Sequence, residues 1–208
     1  MQKVWVFGRL LGLKNEYRDP KKQKERFMDN KTALLIIDVQ KGFDASSWGK
    51  RNNLDAEKNI QRLLEFWRSQ NRPVIYVQHA SKDPQSTLHP KNPGWHFKNE
   101  VMPKSDEPIF HKAVNSAFIG TNLEKHLIEQ SIKSLVIVGL TTDHCVSTTT
   151  RMASNFGFEV FLVSDATATF GKTGINGEKY EPEIIHEVHL ASLNGEFCQV
   201  ISTESLLR

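Results

Sequence analysis

Beyond Thr32, short apolar runs alternate with segments of helical periodicity, and this alternation limits the possible folds more than any other feature. The run 33–37 is apolar throughout, as expected of a strand buried on both faces of a parallel sheet. Further strands are predicted at 73–77, 134–138, 159–164 and 197–201, and helices at 54–70, 121–131, 143–155 and 181–193. Such alternation implies right-handed crossovers. The sequence therefore predicts an α/β protein with three α/β/α layers around a doubly wound, mainly parallel six-stranded sheet, of which these runs supply five strands.

Length and charge indicate one folded domain with a basic extension. The chain of 208 residues can form one domain with a full core, but not two comfortable ones. Residues 1–31 hold nine Lys/Arg and four Asp/Glu, so we predict a basic N-terminal extension over 1–31 and the folded domain over 32–208. A tail packed on the surface is favoured over a transit peptide, because Ser and Thr are absent from its first fifteen residues.

Composition also narrows the possible partners and location. Residues 32–208 are faintly acidic, which argues against a nucleic-acid partner. No apolar run approaches the roughly 20 residues that span a bilayer, so we expect no membrane partner. The two cysteines, Cys145 and Cys198, fit a reducing compartment, and we expect a cytoplasmic protein with Cys198 as a small buried residue.

Three reactive side chains fall near the ends of predicted elements. Asp38 directly follows the strand 33–37, Lys112 precedes a predicted helix, and Cys145 opens the helix that follows the strand 134–138. A helix start stabilises a thiolate, a nearby carboxylate can act as general base, and an ammonium can stabilise both. Each residue alone has a structural alternative as a turn cap, a solvated lysine or an inert cysteine. Their common location at a ligand-binding sheet edge favours an active site.

Three motifs occur in the order LIIDVQ at 35–40, HKAVNSAF at 111–118 and VGLTTDHCV at 138–146, followed by DATATF at 165–170. Together they resemble the isochorismatase-like cysteine hydrolases, a family with a Rossmann-like fold, from about Thr32 to the C-terminus. The resemblance implies that Asp38 is the general base, Cys145 the nucleophile, and Lys112 a support for both.

The same resemblance predicts an oxyanion hole. It implies a cis peptide bond between Leu140 and Thr141, which turns the N–H of Thr141 towards the oxyanion beside the N–H of Cys145. With the cysteine retained, the resemblance implies hydrolysis of a C–N bond in a small amide, lactam or ureido compound through a thioester. A binding protein or thiol redox sensor of the same family is the alternative, although a sensor needs only a reactive thiol.

The resemblance also bears on metals and oligomers. Nicotinamidases of this family bind a divalent metal through an Asp-x-His pair and a further His, and residues 76–89 contain no such pair. We therefore expect no metal and no cofactor, with His79 and His89 either lining the pocket or hydrogen-bonding within it. The family implies a homodimer or homotetramer.

Loops near the three reactive residues supply candidates for substrate binding, each with an alternative role in the core or a subunit interface. They are Gln40, Phe43, Trp48, His79, Trp95 and Phe118. His186 and His189 have a spacing of three residues rather than the His-Glu-x-x-His zinc pattern, so both are predicted to be structural.

Overall fold

In the computed structural model, which describes residues 30–208, a parallel six-stranded sheet forms the centre of the molecule. The strands are β1 (Ala33–Ile37), β2 (Val74–His79), β3 (Ile109–Lys112), β4 (Ser134–Leu140), β5 (Glu159–Ala168), β6 (Lys172–Thr173), β7 (Lys179–Tyr180) and β8 (Gln199–Ile201). The central order is β3-β2-β1-β4-β5-β8, while β6 and β7 form a separate antiparallel pair. The order reverses between β1 and β4, which is where doubly wound proteins bind ligands.

Helices connect the strands and cover the sheet. The α-helices are α1 (Ala56–Ser69), α2 (Leu123–Glu129), α3 (Ser147–Asn155), α4 (Pro182–Leu193) and α5 (Thr203–Leu207). Short 3₁₀ helices occupy Lys41–Asp44, Ser46–Trp48, Pro93–Trp95 and Asn99–Val101, and a π-helix occupies Thr142–Val146. None of the helices within residues 30–208 is long and apolar enough to cross a bilayer.

Burial of β1 on both faces explains its continuous apolar sequence. All five of its residues are fully buried, and successive side chains point to opposite faces. Leu35 and Ile37 join one core cluster, whereas Leu34 and Ile36 join the cluster on the other face. This arrangement confirms the predicted three-layer fold and brings the carboxyl ends of adjacent strands to one edge.

The structure corrects the predicted elements in two places near the site. Strand β3 lies within a stretch that the sequence analysis left without a strand, so Lys112 ends a strand rather than merely preceding a helix. The predicted helix 143–155 is divided into the π-helix Thr142–Val146 and α3. The predicted basic extension lies almost wholly outside the described residues.

Candidate active site

The three predicted catalytic residues converge at the carboxyl edge of the sheet. Asp38 directly follows β1 with a positive φ of 52°. Lys112 is the last residue of β3, and Cys145 lies in the π-helix that follows β4. Since β1 and β4 are adjacent and parallel, their ends meet at the point where the strand order reverses.

The ammonium of Lys112 joins the other groups of the site. Its Nζ lies 2.5 Å from Oδ2 of Asp38, 3.2 Å from Sγ of Cys145 and 3.1 Å from Nδ1 of His79. The side chains of Lys112 and Asp38 are fully enclosed. An ammonium has three donors, so these three contacts use all of them. We call Asp38, His79, Lys112 and Cys145 the catalytic cluster.

One oxygen of Asp38 remains available for proton transfer. Its Oδ1 is enclosed and has no hydrogen-bond partner, whereas Oδ2 is held by Lys112. Burial, and then the negative charge of Asp38, raise the pKa of the Cys145 thiol well above its ordinary value, with Lys112 acting in the opposite direction. Burial and Asp38 therefore act against the thiolate that a helix start was expected to stabilise. The unpartnered carboxylate oxygen near the buried thiol is a candidate acceptor for its proton.

Close packing of the backbone shapes the segment that carries the cysteine. Gly139 has a φ of 122°, and a Cβ at this position would collide with the backbone carbonyl of Ile37. The next peptide bond, Leu140–Thr141, is cis. The hydroxyl oxygen of Thr141 is enclosed without a partner. We call the π-helix Thr142–Val146, which starts immediately afterwards, the nucleophile turn.

Asp143 ties the nucleophile turn to the segment that follows β5. Its carboxylate accepts hydrogen bonds from the Thr169 hydroxyl at 2.5 Å and from Nζ of Lys172 at 3.0 Å. Burial alone would raise the pKa of Asp143, but the Thr169 hydroxyl, His144 and Lys172 together lower it. The sequence analysis missed this contact because the partners are about 26 residues apart and form no local motif.

His79 is held as a neutral imidazole. Burial, and then the positive charge of Lys112, lower the pKa of His79. Because an ammonium can only donate, Nδ1 of His79 accepts from Lys112 and Nε2 carries the ring proton. Gln40 fixes the backbone here: its Nε2 donates to the His79 carbonyl at 3.0 Å, and its Oε1 accepts from the His79 N–H at 2.9 Å.

The predicted binding residue Gln40 thus has a different role. Its second amide hydrogen goes to the carbonyl of Trp95 at 2.8 Å, so backbone groups occupy both donors of its amide. The side chain is fully buried. Gln40 joins the end of β2 to the loop that carries Trp95, and it brings no free donor to a substrate.

Three side chains of the site could in principle serve as metal ligands. Asp38, His79 and Cys145 each offer a ligand atom within 4.8 Å of the others. The Lys112 ammonium already lies among those atoms, at 2.5–3.2 Å. A divalent cation there would have to displace a buried positive charge, so these residues do not fit a metal ion while Lys112 remains in place.

Phe43 and Trp48 form an aromatic cluster with Phe170, a residue that the sequence analysis did not single out. The ring centroids of Phe43 and Trp48 are 4.9 Å apart, and those of Trp48 and Phe170 are 5.4 Å apart. This cluster packs against Leu140, immediately before the nucleophile turn. Phe43 and Phe170 also border a cavity of about 650 Å³ that no member of the catalytic cluster lines. Because none of the four residues of the catalytic cluster lines the cavity, it is not a candidate for the place where the reaction occurs.

The other two aromatic candidates differ in location. Trp95 packs against His111, the neighbour of Lys112, at a centroid distance of 5.5 Å, and its indole N–H is enclosed without a partner. Phe118 packs against Phe156, which follows the last residue of α3, at 5.2 Å. Phe118 and Cys145 both belong to the core cluster on one face of the sheet. Phe118 is a core residue near the C-terminal end of α3.

One further contact was not anticipated. The thiol of Cys145 points its donor towards Oδ1 of Asn115 at 3.9 Å. Asn115 is exposed and lies in the HKAVNSAF motif, three residues after Lys112. Its position inside this motif was the only feature of the sequence that could have indicated a place near Cys145.

Comparison with known proteins agrees with this fold. The sequence model of the isochorismatase domain matches residues 32–205. The isochorismatase family protein YrdC of Bacillus subtilis is 51% identical over 180 residues, which cover 86% of this chain and 96% of YrdC. A crystal structure from Chromobacterium violaceum, described as a hydrolase of this family, has a TM-score of 0.84 and 41% identity, covering 86% of this chain and 93% of that one. The chain belongs to the isochorismatase family of hydrolases.

More distant relatives carry names that specify a reaction. Nicotinamidase 3 of Arabidopsis thaliana is 28% identical over 191 residues, covering 85% of this chain and 87% of that protein. Ureidoacrylate amidohydrolase RutB of Agrobacterium fabrum is 26% identical over 219 residues, covering 83% and 91%. The family thus includes amidohydrolases.

Proposed function

We propose that this protein hydrolyses a C–N bond in a small amide, lactam or ureido compound through a covalent thioester on Cys145. The observation that carries the proposal is the unpartnered Oδ1 of Asp38 beside a buried thiol, with Lys112 bridging both residues. Relatives named as amidohydrolases support the same class of reaction.

The first half of the reaction forms the thioester. Asp38 removes the thiol proton, the sulfur of Cys145 attacks the carbonyl carbon, and a C–S bond forms. The N–H groups of Thr141 and Cys145 receive the oxyanion, as preorganised backbone donors do in other acyl transfers. Asp38 then passes its proton to the leaving nitrogen, the C–N bond breaks, and ammonia or an amine departs.

The second half releases the acid. Asp38 removes a proton from water, and the resulting hydroxide attacks the thioester carbon. The C–S bond breaks, the sulfur regains a proton from Asp38, and a carboxylic or carbamic acid leaves. Throughout, Lys112 balances the negative charge that moves between the carboxylate and the sulfur.

A redox-sensing role is less well supported than hydrolysis. A sensor cysteine needs an accessible thiol with a low pKa. Here burial and the neighbouring Asp38 raise the pKa of Cys145, and its residue is only 7% exposed. The arrangement favours a nucleophile that is ionised during the reaction over one that is ionised at rest.

A panel of small amides, lactams and ureido compounds tests the proposal, with turnover measured as release of ammonia or, for lactams, as formation of a free amine. We expect turnover of at least one compound by the native protein and a loss of about 10⁴-fold or more in Cys145→Ala, as for removal of a catalytic nucleophile. Cys198→Ala is the matched control, since Cys198 directly precedes β8, at the opposite edge of the sheet from the strand that carries Lys112. Equal turnover by Cys145→Ala would refute the mechanism, and mass spectrometry of the acyl-enzyme tests the thioester directly.

Two further expectations belong to this proposal. We propose a homodimer or homotetramer located in the cytoplasm, acting on a small molecule without a nucleic-acid or membrane partner. Light scattering of the purified protein measures the oligomeric state, and a monomer at micromolar concentration would contradict the first expectation.

A further inference from the structure

A buried histidine outside the catalytic cluster contacts the nucleophile turn. His186 lies on α4 and is only 4% exposed. Its Nδ1 lies 2.9 Å from the hydroxyl oxygen of Thr142, which is itself fully buried. Thr142 is the first residue of the π-helix that carries Cys145 three residues later. The contact therefore joins α4 to the start of the nucleophile turn.

Counting donors identifies which ring nitrogen carries the proton. Nδ2 of Asn53 donates to the carbonyls of Ser164 at 2.9 Å and of Thr167 at 2.7 Å, which uses both of its hydrogens. It therefore has no hydrogen left for Nε2 of His186, which is 3.4 Å away. The carbonyl of Ser164, which accepts from Asn53 beside this ring nitrogen, raises the pKa of His186, as an acceptor for a ring N–H does. The ring proton accordingly belongs on Nε2, and Nδ1 is an acceptor.

We propose that His186 is a positioning residue for the nucleophile: its neutral imidazole, protonated at Nε2, accepts a hydrogen bond from the Thr142 hydroxyl and holds the nucleophile turn in place. His186 contacts no reacting atom and acts only through Thr142. This proposal rests on the proposed function, because it takes Cys145 to be the nucleophile that His186 positions.

The charges around His186 are consistent with a neutral ring. Burial lowers its pKa most strongly, and His189 on the same helix adds to that effect. Glu187 and the carbonyl of Ser164 act in the opposite direction without reversing it. A second ring proton would occupy Nδ1 and remove the acceptor for Thr142.

The first test needs no substrate. The ¹⁵N spectrum of histidine-labelled full-length protein distinguishes protonated from unprotonated ring nitrogens, and the signals of His186 are assigned by their loss in His186→Gln. We expect a protonated Nε2 and a bare Nδ1 for His186 at neutral pH. A bare Nε2, or a doubly protonated ring, would overturn the proposal, and His186→Asn gives the same assignment if His186→Gln does not fold.

The second test uses matched variants and iodoacetamide as the probe of Cys145. His186→Asn keeps an acceptor near the position of Nδ1, whereas His186→Gln keeps a donor near Nε2 and loses that acceptor. Thr142→Val removes the hydroxyl and preserves the branched shape. His189→Asn is the control, because Nδ1 of His189 contacts only the carbonyl of Ile185 on its own helix.

We expect alkylation of Cys145 to slow about tenfold in His186→Gln and Thr142→Val, because the sulfur moves away from the carboxylate that takes its proton and from the ammonium that stabilises the thiolate. His186→Asn and His189→Asn should stay within about threefold of the native rate. Cys198 is alkylated in the same samples and reports any general loosening of the fold. Equal slowing in His186→Asn and His186→Gln, or no slowing in any variant, would overturn the proposal.

These readouts separate the two proposals. If no amide in the panel is turned over, the proposed function fails while the tautomer and the alkylation rates still decide the role of His186. If turnover is found, a positioning role predicts a fall in kcat with little change in KM for Thr142→Val, since substrate binding is not touched.

Discussion

Within residues 30–208, the buried lysines Lys98 and Lys112 both donate to carboxylates. Beside Lys112, one buried carboxylate oxygen has no hydrogen-bond partner. Nζ of Lys98 donates to Glu57 at 2.7 Å and to Asp44 at 2.5 Å. Arg51 donates a hydrogen bond to each oxygen of Glu57, so both oxygens of that carboxylate have a partner. Burial opposes ionisation of Glu57, yet the hydrogen bonds from Arg51 and Lys98 lower its pKa to about 2. We call these four residues the Lys98 cluster.

The catalytic cluster has the same ingredients with one acceptor left over. Lys112 occupies Oδ2 of Asp38, but Oδ1 is enclosed and unpartnered, and the remaining neighbour is a thiol rather than a second cation. An enclosed acceptor without a partner costs free energy, so its retention points to a function rather than to stability. A saturated cluster holds the fold together, whereas an unsaturated one can accept a proton.

Neutralising Asp38 in one variant and Glu57 in another should give the largest difference between the two clusters. Asp38→Asn should lower turnover by about 10³-fold, since it removes the general base. Glu57→Gln should leave turnover per folded molecule unchanged and lower the free energy of unfolding by about 3 kcal/mol, because Arg51 and Lys98 lose their shared partner. Ammonia release and urea unfolding of both variants measure the two effects.

The loss of stability should be smaller in Asp38→Asn than in Glu57→Gln. The charge of Asp38 helps to keep the pKa of Cys145 high, so its removal allows the thiol to ionise and become the counter-ion of Lys112. Ultraviolet absorbance of the thiolate against pH tests this exchange. An unchanged Cys145 pKa in Asp38→Asn would contradict the account of the catalytic cluster.

Removing each lysine tests whether Lys112 fills a cation position. In Lys112→Ala we expect loss of turnover together with a new Zn²⁺ site, because oxygen, nitrogen and sulfur ligands within 4.8 Å of one another lose their ammonium. Lys98→Ala exposes only carboxylates and should bind Zn²⁺ more weakly. Calorimetric Zn²⁺ titration measures both, and the Lys112→Ala, Cys145→Ala double variant should lose the gain. No gain in Lys112→Ala would show that Lys112 does not occupy a metal-binding position.

Acid should destabilise the Lys98 cluster in a defined window. The folded-state pKa of Glu57 is lowered from 4.5 to about 2, so its contribution to stability is present above pH 4.5 and is lost as the pH falls towards 2. That change corresponds to about 3 kcal/mol. Urea midpoints between pH 5 and about pH 3 should therefore fall more steeply in the native protein than in Glu57→Gln. Parallel curves would mean that Glu57 is not held ionised by its partners.

The sequence predicted the elements with strong local patterns and missed those defined by distant contacts. Strand β1 has the predicted bounds because burial on both faces leaves a continuous apolar run. Strand β3 was missed because it lies at the sheet edge, where its residues Ile109, Phe110 and His111 are exposed or half-buried and form no such run. The motifs located Asp38, Lys112 and Cys145. The direction of the shift in the thiol pKa was not predictable, since it depends on burial and on a carboxylate 107 positions earlier in the chain.

The same distinction applies to binding residues. Gln40 and Phe118 were chosen because they lie on loops near the three reactive residues. Instead, the amide of Gln40 donates to two backbone carbonyls, and Phe118 packs near the far end of α3. Phe170 was passed over because its aromatic partners lie more than a hundred residues earlier. Nearness in sequence identifies a loop, and only the fold determines which way a side chain in that loop faces.

Substitutions of His79, which contacts Lys112, and of Asp44, which contacts Lys98, should give the smallest difference between the two clusters, because neither residue is a reacting group. His79→Asn keeps an acceptor for Lys112 and should lower kcat by less than about threefold, whereas His79→Gln places its amide beyond Nδ1 and should lower kcat about tenfold. Asp44→Asn should leave kcat unchanged and cost less than about 1 kcal/mol, since the Asp44 side chain is 62% exposed. Steady-state kinetics and urea unfolding of the three variants decide the matter. Equal kcat in both His79 variants would mean that the ammonium needs no third acceptor, and the two lysines would then differ only in the carboxylate oxygen that Asp38 leaves open.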